Sequence, residues 1–180
     1  MSPFNVDRCV GNKSATRAAL FALLLILPAL AFSQATNKGG DKAVDDLMSQ
    51  AQRALTSGKP DEASNLLRKA IDLAPTRAEL YLVRSRARDQ AGKFDAALED
   101  ASKYIELAPD DAYGYLNRAR VYLSMEKKQA ALDDANKAVA MSPNEPDAYF
   151  RRADIYADMG KDAEAKADEA KAEELDKKAR

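Results

Sequence analysis

Four pairs of adjacent acids, Asp45-Asp46, Glu99-Asp100, Asp110-Asp111 and Asp133-Asp134, come nearest in type and spacing to catalytic chemistry. Paired carboxylates serve as general acid and base when their surroundings drive their pKa values apart. The other usual participants are scarce. The chain has no histidine and one cysteine, Cys9, near its N-terminus, which removes the common metal ligands and the Cys–His and Ser–His dyads. No G-x-x-x-x-G-K-[ST] or G-x-G-x-x-G string is present to cradle a phosphate. A second set of charges is more regular. Arg84, Arg118 and Arg152 recur every 34 residues, and Asp100, Asp134 and Asp168 keep the same step. One step earlier both members change together, to Gln50 and Leu66. That concerted change predicts structural ion pairs, Arg84 with Asp100, Arg118 with Asp134 and Arg152 with Asp168, bonded bidentately across two helices. The alternative is a cationic ladder for an anionic ligand.

The elements that would position these residues share that period. "LAPTRAELYLVRS" begins at Leu73, "LAPDDAYGYLNRA" at Leu107 and "MSPNEPDAYFRRA" at Met141. Counted from Val44, four units run 44–77, 78–111, 112–145 and 146–179. A period of this length is that of a helix–turn–helix solenoid unit. Proline at unit position 32 (Pro75, Pro109, Pro143) ends one helix and spaces the next, and Thr76, Asp110-Asp111 and Asn144 follow as candidate N-caps. Glycine at position 15 (Gly58, Gly92, Gly160) suits the exit from the first helix of each pair, with Glu126 in its place in the third unit. Alanine at position 20 (Ala63, Ala97, Ala131, Ala165) permits close helix approach, and the residue at position 4 (Leu47, Tyr81, Tyr115, Tyr149) fills the space beside it. Alanine, leucine and charged residues dominate and tryptophan is absent, so the expected class is all-α.

These motifs resemble the tetratricopeptide repeat family over residues 44–179. Small residues at position 8 (Ala51, Ser85, Ala119, Ala153) strengthen the likeness, while Arg or Gln at position 7 and Tyr104 in place of the position-27 alanine depart from it. The resemblance implies a right-handed α-solenoid of about four helix–turn–helix repeats. It also implies a concave groove lined by the first helix of each unit, with positions 2, 5, 9 and 12 toward a bound peptide. Carried over, position 5 is Met48, Leu82, Leu116 and Phe150, an apolar row, and position 9 contributes Arg86 and Arg120, with Tyr113 and Leu123 adding to the row. The alternative for position 5 is packing against the neighbouring unit. One subtype of the family grips a C-terminal carboxylate. Asn117 and Arg151 fall on its positions, but Leu82, Asp147 and Arg86 stand where two lysines and an asparagine belong, so the clamp is discounted.

Residues 1–33 read as a secretory signal peptide. Arg8, Lys13 and Arg17 form a basic head, Ala18–Ala31 is an uncharged apolar run, and Ala31-Phe32-Ser33 offers a cleavage site, with competitors at Ala29-Leu30-Ala31 and Ser33-Gln34-Ala35. The run is 14 residues long and contains Pro28, whereas a membrane span needs about 20. A cleaved signal is therefore favoured over an uncleaved N-terminal anchor. Residues 34–43, "QATNKGGDKA", read as a flexible linker.

A net charge of −1 gives no electrostatic footprint for nucleic acid. The acid pairs fall on repeat-equivalent caps and solvated faces, so no catalysis, metal or cofactor is expected. The final helix, rich in charge and alanine, reads as the polar cap that a solenoid needs at its end. The expected product is a periplasmic or secreted interaction module without a stable membrane span, binding a peptide or helical segment of a protein partner. Its competitor is a structural subunit that self-associates or assembles a larger complex.

Overall fold

A computed structural model describes residues 40–179, all of whose regular elements are helices. They are α1 (40–56), α2 (Pro60–Leu73), α3 (Ala78–Gln90), α4 (Phe94–Leu107), α5 (Ala112–Ser124), α6 (Lys128–Met141), α7 (Pro146–Asp158) and α8 (Asp162–Ala179). The expected signal peptide and residues 34–39 of the expected linker lie outside the described residues. Residues 40–43 of that linker are already helical. From Val44 on, alternate helices begin at unit positions 1 and 17, matching the sequence period.

The turns explain this regularity. Within each hairpin the chain leaves the first helix through a left-handed residue, and Gly58, Gly92 and Gly160 take φ of 70°, 71° and 72°. Glu126 adopts the same region at φ 57°, so the third turn keeps its shape at the expense of backbone strain. At two of the three junctions between hairpins the N-cap is one residue later than the sequence suggests, and at the other it is the second residue of the expected Asp110-Asp111 pair. Asp111 caps α5, its Oδ1 accepting from the Tyr113 amide at 2.8 Å. Arg77 and Glu145 occupy the same place before α3 and α7 and make no side-chain cap bond, while Thr76 and Asn144 fall within the preceding turn. Those two are not caps, because the turn after each proline is one residue longer than the cap reading assumed.

Small residues set the spacing of the layers. Ala63, Ala97 and Ala131 are fully buried and Ala165 nearly so. Leu67, Leu80, Val121 and Ile155 are among the largest fully buried side chains. The Tyr81 and Tyr149 hydroxyls donate to the Pro75 and Pro143 carbonyls at 2.9 and 3.0 Å, tying position 4 to the junction before it. α3 touches α5 and α5 touches α7, whereas α4, α6 and α8 meet only first helices of the units. α3, α5 and α7, the first helices of the last three units, therefore form one continuous inner row.

Each hairpin from the second unit on is clasped by an arginine and an aspartate. Arg84 donates to the two oxygens of Asp100 at 2.8 and 2.6 Å, Arg118 to Asp134 at 2.7 and 2.8 Å, and Arg152 to Asp168 at 2.7 and 2.8 Å. The carboxylates are buried. Each guanidinium also lies over the position-4 tyrosine of its own unit, 5.5 to 5.7 Å from the ring centre, an attractive arrangement between cation and π face. Hydrogen bonds to their aspartates raise Arg118 and Arg152 above the ordinary arginine value. In the first unit Leu47, Gln50 and Leu66 replace tyrosine, arginine and aspartate together. α8 buries Ala165, Asp168 and Ala172 and leaves most of its other described side chains at least partly in water. Among the described residues no helix is long and apolar enough to cross a membrane.

Candidate functional site

The inner row exposes a cleft of about 60 Å³ lined by Arg86, Tyr113, Leu116, Asn117, Arg120 and Arg151. The three arginines come from α3, α5 and α7 in turn. Arg86 donates through Nη2 to the Tyr113 hydroxyl and lies 5.1 Å from the centre of that ring. Arg120 approaches Asp89 of α3 at 3.6 Å, and Arg151 approaches Asp147 at 3.5 Å on the exposed face of α7. Burial holds Arg86 below the ordinary arginine value, and the charges of Arg120 and Arg151 lower it further. Burial lowers Arg120 as well, with Arg151 adding to the effect and Asp89 opposing it. Arginine stays protonated through such shifts, so they express chiefly the cost of burying the guanidinium groups and, to a smaller extent, of grouping like charges.

A polar relay aims Arg120. The Ser85 hydroxyl donates to the Ala97 carbonyl at 2.9 Å, the Asn117 amide donates to Ser85 Oγ at 2.9 Å, and Arg120 Nη2 donates to Asn117 Oδ1 at 3.3 Å. Ser85 and Asn117 are buried. Asn117 thus lines the cleft while its amide group is committed to the core. Sequence reasoning missed Ser85 and Asp89 in this setting. Serine among alanines at position 8, one turn of the solenoid before an asparagine, was the available signal.

Two further clefts adjoin the first. One, of about 210 Å³, shares Tyr113 and Leu116 and carries the acids Asp111, Glu145 and Asp147 at the start of α5 and α7. The other, of about 70 Å³, runs along Leu116, Leu123, Arg151, Asp154 and Ile155. The groove face accordingly has a basic centre beside an acidic edge, with Leu116 at the junction.

The expected apolar row is not continuous in water. Leu116 is 8% exposed and packs against Ala138, Val139 and Ala148. Met48 and Leu82 are half-buried against the core between the first two units, and Phe150 is the exposed member at 39%. For Leu116 the packing role prevails, because the inner helices approach closely enough to cover it. Arg86, Tyr113, Leu116, Asn117, Arg120 and Arg151 are brought together in one cleft, Leu123 borders the next, and Met48, Leu82 and Phe150 lie apart from both. The acid pairs are spoken for in part: Asp45 meets Arg77 at 2.6 Å, Asp100 and Asp134 clasp hairpins, and Asp111 caps α5. Arg88 also reaches Asp100 at 2.8 Å, a second clasp unforeseen from the sequence.

The chain is similar to known helical repeat proteins. A solved structure of MamA protein shares 27% identity, with 77% of this chain and 76% of that one covered and a TM-score of 0.62. Another MamA structure, at 23% identity, covers 97% of this chain and 98% of its own with a TM-score of 0.64. TTC0263, a thermophilic tetratricopeptide repeat protein of Thermus thermophilus, aligns over 73% of this chain and 74% of its own at 20% identity and a TM-score of 0.67. No curated protein matches. The family model for the tetratricopeptide repeat matches residues 48–112 and 116–179, most of the chain and all four hairpins. This chain belongs to the tetratricopeptide repeat family.

Proposed function

We propose that the protein is a non-catalytic scaffold, exported to the cell envelope, that docks an acidic segment of another protein on the inner face of its repeats. The tetratricopeptide fold supports a role in protein–protein interaction. The observation that carries the finer reading is the convergence of Arg86, Arg120 and Arg151 on one cleft. Acidic side chains of the segment would meet these guanidinium groups. Export rests on the basic head and apolar run of residues 8–31, and places the working chain in the periplasm or outside the cell.

The test compares retention of envelope proteins by the immobilised chain and by an Arg86→Gln/Arg151→Gln variant whose helicity is confirmed by circular dichroism. A protein held by the unaltered chain, released by salt and lost by the variant supports the groove reading. Equal retention by both moves the contact to another face. Growth of mass with concentration and no retained partner favours the self-associating subunit instead.

A further inference from the structure

Apart from Arg88, which shares Asp100 with Arg84, the arginines on α3, α5 and α7 fall into two classes. Arg84, Arg118 and Arg152 are each closed by two bonds of 2.6 to 2.8 Å to a buried carboxylate. Arg86, Arg120 and Arg151 are left open. Carboxylates come no nearer than 3.6 Å to Arg120 and 3.5 Å to Arg151, and no ion pair with a described residue closes Arg86. Arg120 Nε and Asp89 Oδ1 are buried without a hydrogen-bond partner. Such orphans are rare in folded proteins because each forfeits its hydration, and they call for a reason. Three guanidinium groups and no carboxylate line the cleft itself: Asp89, 3.6 Å from Arg120, is not part of its wall, and Asp147 lines the neighbouring one.

We propose that this cleft is a binding site for a doubly charged tetrahedral oxyanion, phosphate or a phosphate ester, held jointly by Arg86, Arg120 and Arg151. The proposal rests on the inner face being the working surface and names the chemistry of its ligand. A carboxylate has two oxygens in one plane and engages one guanidinium fork bidentately. Three forks arriving from three helices suit an anion whose oxygens point in several directions. A phosphate ester carries about −1.5 to −2 charges at pH 7, which offsets the larger part of the positive charge of the cleft. Two of the donors are oriented in advance, Arg86 by the Tyr113 hydroxyl and Arg120 by Asn117. Grouping these cations has a cost in the free protein that a bound dianion would relieve.

The full chain is titrated calorimetrically with sodium phosphate, sodium sulfate and sodium acetate at matched ionic strength, with O-phosphoserine as a fourth probe. Phosphate and sulfate are expected to bind at least about tenfold more tightly than acetate. Arg120→Gln and Arg151→Gln should each weaken phosphate about tenfold, while Arg53→Gln on α1, outside the cleft, leaves it unchanged. Arg151 is exposed, so its variant remains a fair readout if Arg120→Gln unfolds. Tighter binding of O-phosphoserine than of inorganic phosphate assigns the site to esters, and the reverse order assigns it to the free ion. Acetate equal to phosphate, or phosphate binding indifferent to Arg151→Gln, overturns the proposal. Phosphate binding without partner retention would leave this site standing and remove the docking role, and partner retention without phosphate binding would do the opposite.

Discussion

The ring of Tyr104 occupies the space that a side chain at residue 114 would take: a Cβ on Gly114 would lie 2.7 Å from Tyr104 Cδ1 and 2.9 Å from Ile105 Cγ1. In the other units position 27 is alanine and position 3 carries Asp46, Leu80 or Ala148. At the α4–α5 crossing the bulk has moved from one helix to the other. Gly114→Ala should therefore destabilise the protein by about 1–3 kcal/mol, the usual range for overpacking. Adding Tyr104→Ala should recover part of that loss, so the two effects will not add. Urea unfolding of the two single variants and the double variant measures the coupling, and additive effects would show that the two residues do not contend for the same space.

The Tyr104 hydroxyl, which donates to Asp111, titrates above the ordinary tyrosine range, raised first by burial and then by its bond to that carboxylate. Above about pH 10 the unfolded chain has therefore lost a proton that the folded chain retains. The corresponding stability is complete below about pH 10 and declines as the pH rises. Tyr104→Phe should lose less stability than the unaltered chain between about pH 9.5 and 11.5. Parallel curves of urea midpoint against pH would count against this assignment.

Arg118 and Asp134 invite a test that copies the first unit. Arg118→Gln alone leaves a buried carboxylate without its partner and should cost about 2–4 kcal/mol. Arg118→Gln with Asp134→Leu reproduces Gln50 and Leu66 and should be closer to the unaltered chain than the single variant. A double variant no more stable than Arg118→Gln would mean that the hairpin depends on the ion pair itself.

Glu126 holds a left-handed backbone at φ 57° that glycine holds in the equivalent turns. The strain relieved by Glu126→Gly is about 1–2 kcal/mol, and glycine's added freedom in the unfolded chain returns about 0.4–1 of it. A net gain of about 0.5–1 kcal/mol is expected from thermal or urea unfolding. Gly92→Ala at the matching turn should move stability the other way.

The repeat period and the Arg–Asp clasps were legible because each recurs every 34 residues, so one unit is read against the others. Proline and glycine at fixed phase also marked the turns, since their backbone limits act locally. The compensation between Tyr104 and Gly114 was illegible for the opposite reason. Each is a single departure, and nothing local says that they meet. Thr76 and Asn144 fail as caps because cap choice depends on where the preceding turn closes, a difference of one residue that pattern alone does not resolve.

The sequence by itself determined an all-helical stack of four hairpins in a known register, since periodic apolar positions, breakers and paired charges all act within one repeat or between neighbours. Tertiary structure decided which inner residues remain accessible. Close approach of α3, α5 and α7 covers Leu116 and commits Asn117 to Ser85, while Arg86, Arg120 and Arg151, from three different units, are gathered on one cleft. Curvature and helix spacing set that outcome, because they depend on the packing of every unit at once.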